Sequence, residues 1–89
     1  MKLKYNFVIN NVAGSVVAVP VGTDSAAFKG YIKLNDTGAY IFKSLKTGAS
    51  REELIEGILR DFEGAQRQEV EKTVDEFLDK LRASDIITE

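Results

Sequence analysis

The apolar residues of this chain change their period once, at Asn35. Before it they recur at every second position, and after it at every third or fourth. A period of two belongs to a half-buried strand and a period near 3.6 to a helix with one buried face. One segment cannot satisfy both, so a β half must precede an α half. From Leu3 to Ile9 the odd positions Leu3, Tyr5, Phe7 and Ile9 are apolar, while the even ones are mostly lysine or asparagine. That is a first strand. Asn10, Asn11 and Gly14 mark a turn, and the β-branched run from Ser15 to Val19 predicts the returning strand. Pro20 has no amide to donate to a ladder, which puts it at a strand end or on an edge. Val21 to Ala27 reads as a loop. Phe28, Gly30, Ile32 and Leu34 then face one way and Lys29, Tyr31 and Lys33 the other, a third strand.

Three helices follow. Asn35 or Asp36 is a natural N-cap for the first, and Gly38, Ile41, Phe42 and Leu45 fall on one helical face. Gly48 stands where a left-handed C-terminal residue is expected. Ser50 and Glu53 form a capping box for the second helix, whose inner stripe is Leu54, Ile55, Ile58, Leu59 and Phe62, with Gly64 as its stop. The third helix, about Gln66 to Ala83, carries Val70, Val74, Phe77, Leu78 and Leu81 on one side. Ser84 and Asp85 end it, and Ile86-Ile87 form an apolar tail expected to dock on the core. The fold class is therefore α+β: a three-stranded antiparallel sheet followed by three helices, compatible with a winged helix-turn-helix arrangement. With 89 residues, the expectation is a single domain over 1–89.

Composition narrows the function more by what is missing than by what is present. The chain has no cysteine, which excludes disulfides and thiolate metal sites. It has no histidine, which removes the usual general base and the commonest metal ligand. Ser15, Ser25, Ser44, Ser50 and Ser84 thus lack the partner that activates a nucleophile. Gly-rich phosphate loops are absent, and no acidic ladder has EF-hand spacing. These absences point to a protein that is not an enzyme and needs no metal or other cofactor. The start MKLKYNFVIN lacks the apolar core of a signal peptide, and the apolar run Val16 to Val21 is too short to span a bilayer. A cytoplasmic location without membrane attachment is the expectation.

Charge is divided unevenly. Residues 1–48 set six lysines against Asp24 and Asp36, a balance of +4, whereas residues 49–89 set six bases against twelve acids, a balance of −6. A winged-helix DNA-binding regulator is the alternative reading of the fold, but its recognition helix needs cations for phosphate contacts. Here the third helix carries Glu69, Glu71, Asp75, Glu76 and Asp79 against Arg67, Lys72, Lys80 and Arg82, so nucleic acid is not the expected partner. A small antiparallel sheet has edges with unpaired amides and carbonyls, and an extended peptide can add there as a further strand. If the third strand is an edge, residues 28–34 are the template. A lysine-guarded edge that pairs with nothing has the same periodicity.

The spacing of the motifs resembles the PqqD-like family, relatives of the coenzyme PQQ synthesis protein D, also called the RiPP precursor peptide recognition element. The residues that carry the resemblance are Val17-Ala18-Val19-Pro20, the run Phe28 to Asn35, Gly38 with Ile41 and Leu45, Gly48, and Ser50 to Leu54. The closing run of Val70, Val74, Phe77, Leu78 and Leu81 with Ile86-Ile87 completes it. The resemblance implies a non-enzymatic, winged-helix-like module that binds the leader segment of a ribosomally made precursor peptide. It then presents that peptide to a modifying enzyme, often a radical-SAM protein, in natural product or PQQ biosynthesis. It further implies that the leader lies along the third strand, at Lys29, Gly30, Tyr31, Ile32, Lys33 and Leu34. The helix wall is drawn from Thr73, Val74, Phe77, Leu78 and Leu81. Thr73 stands where family members often carry an acidic residue. A third possibility is a small subunit that stabilises a partner enzyme through the exposed edge alone.

Overall fold

The chain's two ends meet before the main sheet begins. The computed structural model describes residues 1–22 and 30–88, in the order β1 (Lys2–Leu3), β2 (Phe7–Val12), β3 (Ser15–Pro20), β4 (Ile32–Leu34), α1 (Asp36–Thr47), α2 (Arg51–Asp61), α3 (Arg67–Ala83) and β5 (Ile87–Thr88). The main sheet is antiparallel with strand order β2-β3-β4, and β1 pairs separately with β5. The α+β fold of three antiparallel strands followed by three helices is the one the periodicity predicts.

Three β features differ from that reading. The alternation from Leu3 to Ile9 is real, but a bend at Lys4 and Tyr5 divides it into two strands that join different sheets. The bend is held from outside: the Lys4 amide donates to the Ile86 carbonyl at 2.7 Å, and Lys4 Nζ lies 2.6 Å from Asp85. The β2–β3 turn also lies later than Asn10 and Asn11, which are inside β2 opposite Val17 and Val16. Val12 pairs with Ser15, leaving Ala13 and Gly14 as a two-residue loop with φ of 52° and 82°. Two consecutive left-handed residues are the hairpin turn whose twist matches the strands. Ala13 takes one of those positions at a steric cost that Asn or Gly would avoid. The third strand is also shorter than residues 28–34: β4 begins at Ile32, Gly30 and Tyr31 precede it with Gly30 at φ 100°, and Phe28 and Lys29 lie outside the described residues, as does most of the expected loop, from Thr23 to Ala27.

The first two helices begin where the caps predict and α1 ends at Gly48, but α2 stops at Asp61, three residues before Gly64, with Phe62 as its extended C-cap. The Asn35 side chain accepts the Gly38 amide at 2.7 Å, and the Ser50–Glu53 capping box is closed in both directions. At the end of α3, Asp85 adopts φ 57° and the Ile86 amide donates to the Leu81 carbonyl at 2.9 Å. This bond satisfies an orphan carbonyl and turns Ile86 inward. Ile86 and Ile87 are both buried, so the tail docks as expected. One cluster fills the interior, with Phe7, Ala18 and Leu34 of the sheet against Phe42, Leu45, Ile55, Val74, Leu78 and Leu81 of the helices. Phe7 and Phe42 meet edge to face at 5.1 Å. Among the described residues no helix is long and apolar enough to cross a membrane.

Candidate functional site

The direction of every backbone group in the sheet follows from one hydrogen bond. The Val21 amide donates to the Asn6 carbonyl at 3.0 Å, so Phe7 and Pro20 form a non-hydrogen-bonded pair. In an antiparallel ladder the two kinds of pair alternate. The odd residues of β3 therefore bond to β2 and its even residues face β4. Ala18 and Val16 pair with Ile32 and Leu34, so those two residues of β4 turn their backbone groups inward. Lys33, opposite Val17, turns its N–H and C=O away from the sheet. Pro20 fits the same scheme, because its missing amide would have pointed towards the β4 side, beyond the last pair of that ladder. Among the described residues β4 has β3 as its one strand neighbour.

The helix facing this edge is α3, and its surface is divided into three stripes. Val70, Val74, Leu78 and Leu81 form the core stripe. Arg67 and Asp75 form a second stripe towards α2. Arg67 contacts Glu52 and reaches Glu56 at 3.3 Å and its own Glu71 at 3.1 Å. Arg51 holds Asp75 with two bonds of 2.6 and 3.0 Å, which keeps the Asp75 carboxyl below its ordinary pKa. The Arg67 guanidinium, beside Glu52 and Glu56, is correspondingly raised. Exposed pairs of this kind contribute little stability singly, and here they tie α3 to α2 while the buried stripe sets which face turns inward. The third stripe, Thr73, Phe77, Lys80 and Ser84, lines the space beside β4.

That space is a groove made of two hollows that share Phe77 and Lys80. The larger, of about 610 Å³, lies over the start of α1, between Asn35 and Gly38 on one side and Thr73 and Glu76 on the other. The smaller, of about 290 Å³, runs along Tyr31, Ile32 and Lys33 to Leu81 and Ile86. Gly38 sets the position of the shared ring. A Cβ built there would lie 3.3 Å from Phe77 Cε1 and 3.1 Å from Asn35 Oδ1, so the missing side chain lets the ring lie on the first turn of α1.

The residues singled out from the sequence are thus not equivalent. Gly30, Tyr31, Ile32 and Lys33 lie at the edge, and Tyr31 is 64% exposed. Thr73 is exposed and Phe77 half-buried, both facing the groove. Val74 and Leu78 are enclosed in the core at 0% and 1% exposure, and Leu34 is buried too, so these three back the wall from behind. Leu81 is buried but still borders the smaller hollow. Lys29 lies outside the described residues. Asn35, Gly38, Lys80, Ser84 and Ile86 also line the groove and were not singled out as site residues. The helical spacing of Thr73, Phe77, Lys80 and Ser84 was a signal for the α3 members, because it repeats one turn at a time beside the core stripe.

A sequence model of the family described as Coenzyme PQQ synthesis protein D (PqqD) matches residues 9–87. The chain belongs to the PqqD family. The match takes in the three-stranded sheet from within β2, all three helices and the start of β5, and so includes every described residue of the groove. No curated protein matches the chain. Among solved structures, TbiB1 in complex with the TbiA(beta) leader peptide has a similar fold, with a TM-score of 0.70. It is 24% identical, and the match covers 97% of this chain and 93% of that one. A PqqD-family fold thus has its β4 edge and α3 stripe facing a common groove. With five carboxylates against four cations, α3 is a poor reader of a phosphate backbone.

Proposed function

We propose that this PqqD-family chain is a non-catalytic module that binds the leader segment of a ribosomally made precursor peptide. It presents the attached core to a modifying enzyme, such as a radical-SAM protein. The observation that carries the reading is the β4 edge: Lys33 directs its N–H and C=O outward beside a groove floored by Ile32 and Phe77. An extended peptide laid there becomes a fourth strand, and two backbone bonds to Lys33 fix its register. Its side chains then alternate between the groove and the outer face of the sheet. Tyr31, Ile32, Lys33, Thr73, Phe77 and Leu81 contact the leader, while Leu34, Val74 and Leu78 hold those contacts in place. The likeness to TbiB1, which holds the TbiA(beta) leader peptide, supports this use of the fold.

The test is an amide-shift titration with twelve-residue peptides selected on the intact protein from a random display library. Shifts should concentrate at residues 30–34 and along Thr73, Phe77 and Lys80. Shifts confined to α2 or to the β2–β3 turn would exclude the β4 edge.

A further inference from the structure

Two lysines that border the groove have no ion-pair partner among the described residues. On α3, Arg67 contacts three carboxylates, Lys72 lies 4.0 Å from Glu76, and Arg82 lies 3.2 Å from Asp79. The remaining cation of that helix, Lys80, has no ion-pair partner among the described residues, although it borders both hollows. The two carboxylates nearest it in the groove are Glu76 and Asp79, and their ion pairs are with Lys72 and Arg82. Lys33, across the smaller hollow, is likewise without an ion-pair partner among the described residues. A peptide strand between them has one unpaired lysine on each of its faces, because the Lys33 side chain lies on the outer face of the sheet and Lys80 on the helix side.

We infer that the segment this groove takes is acidic around one apolar anchor, with a set order. This rests on strand addition at β4, as proposed above. The residue opposite Ile32 points into the smaller hollow, whose floor of Ile32, Phe77, Leu81 and Ile86 calls for an apolar side chain. The residue opposite Lys33 lies on the outer face, where a carboxylate makes a cross-strand ion pair with that lysine. The residue opposite Leu34 returns to the groove side, within the larger hollow that Lys80 borders. In an antiparallel peptide these three read, from the N-terminal side, acidic, acidic, apolar. The two lysines read adjacent positions of the leader, and neither can substitute for the other because they stand on opposite faces.

The experiment is to repeat the display selection on the wild type and on Lys33→Glu and Lys80→Glu, each checked for an unchanged fold by its amide spectrum. The wild type should enrich two consecutive acidic residues followed by an apolar one. Lys33→Glu should exchange acid for base at the position next to the anchor, and Lys80→Glu at the position two before it. For a fixed wild-type peptide, each reversal should weaken binding by about three- to tenfold at low salt, with the loss shrinking as salt rises. If selected peptides shift the β4 amides but show no acidic preference, the charge inference falls and strand addition stands. Should both variants change the same peptide position, the two-faced assignment is overturned. Selected peptides that leave the β4 amides unshifted, or a library that yields no binder, would overturn the strand-addition reading and the inference with it.

Discussion

Replacing Lys33 by proline separates the backbone of the β4 edge from its side chain. Lys33 turns its amide away from β3, so the substitution removes no ladder bond from the free protein, and proline is tolerated on an outward-facing edge. In the proposed complex it removes one of the two bonds that would fix the leader's register. A net backbone bond contributes roughly 0.5–1.5 kcal/mol, which is about two- to twelvefold in affinity. Lys33→Ala is the control, since it loses the same charge, about 0.2–1 kcal/mol for an exposed ion pair, but keeps the amide. Ile32→Pro is the opposite control. Its amide faces Ala18, and losing that bond while forcing a ring between strands costs about 1–3 kcal/mol of fold stability. For a domain of this size that lowers Tm by roughly 4–8 °C per kcal/mol. Calorimetric titration of a selected peptide and thermal melts of the three variants make the comparison. Lys33→Pro should bind more weakly than Lys33→Ala at a similar Tm, whereas Ile32→Pro should lose Tm first. Equal affinities for Lys33→Pro and Lys33→Ala would refute strand addition at this edge.

Gly38→Ala places a Cβ 3.1 Å from the capping Asn35 Oδ1 and 3.3 Å from Phe77 Cε1, so both the cap and the ring must yield by a few tenths of an ångström. Because alanine is favoured over glycine in a helix by about 1 kcal/mol, Tm should hardly fall while peptide affinity does; Phe77→Leu in the same chain should abolish that effect. Gly57→Ala is harsher: its Cβ would lie 2.0 Å from the Tyr40 hydroxyl and 2.9 Å from Cζ, expelling a ring that meets Phe62 edge to face at 5.7 Å. A loss of about 1–3 kcal/mol in urea unfolding is expected, and Tyr40→Phe should recover part of it. Ala13→Asn relieves a left-handed alanine at φ 52° and should stabilise by about 0.5–1 kcal/mol without touching binding, as melts and titrations will show. Acid should act through carboxyls held below their ordinary pKa: Glu53 by the Ser50 backbone and hydroxyl, Asp61 by Arg60 and Asp75 by Arg51. Their folded values lie below the unfolded ones, so this stability is complete above about pH 5 and is lost as pH falls through the carboxylate range. With no histidine in the chain, melts from about pH 6 to 8 should be flat.

The elements that could be read from sequence are those whose cause is local. Asn35 caps α1 and Ser50 caps α2 because the bonds involved span three residues, and the buried stripes follow from helical spacing alone. The break of the first strand at Lys4 was hidden, since its cause is Ile86 and Asp85 at the other end of the chain. The two-residue hairpin was hidden as well: Asn10 and Asn11 are better turn formers than Ala13, and tertiary register overrides that preference. At the site, Lys33 was legible as the outward side of a strand, whereas Tyr31 lies just before β4. Phe77 is a subtler case, because a core stripe and a groove stripe overlap on α3, and the missing Cβ of Gly38 leaves its ring room on the groove side.

The open edge can be explained by the same reasoning. A short sheet protects an edge with charge, with proline or with another element. Pro20 blocks a donor on the β3 flank that faces β4, but it comes after the last β3–β4 pair and so leaves the ladder at Ile32 and Leu34 intact. Lys33 supplies charge at the edge while its backbone stays available, since a lysine side chain leaves the sheet and leans into solvent. Such a residue repels another copy of the same lysine-bearing edge yet attracts an acidic strand. On the proposed reading the guarded edge and the peptide-binding edge are one design, and the sign of the incoming strand's charge decides which behaviour appears. The Lys33→Glu variant should thus lose acidic leaders without acquiring self-association, because like charges still oppose each other. Sedimentation at increasing protein concentration checks this, and dimerisation of Lys33→Glu at low salt would show that something other than charge keeps the edge free.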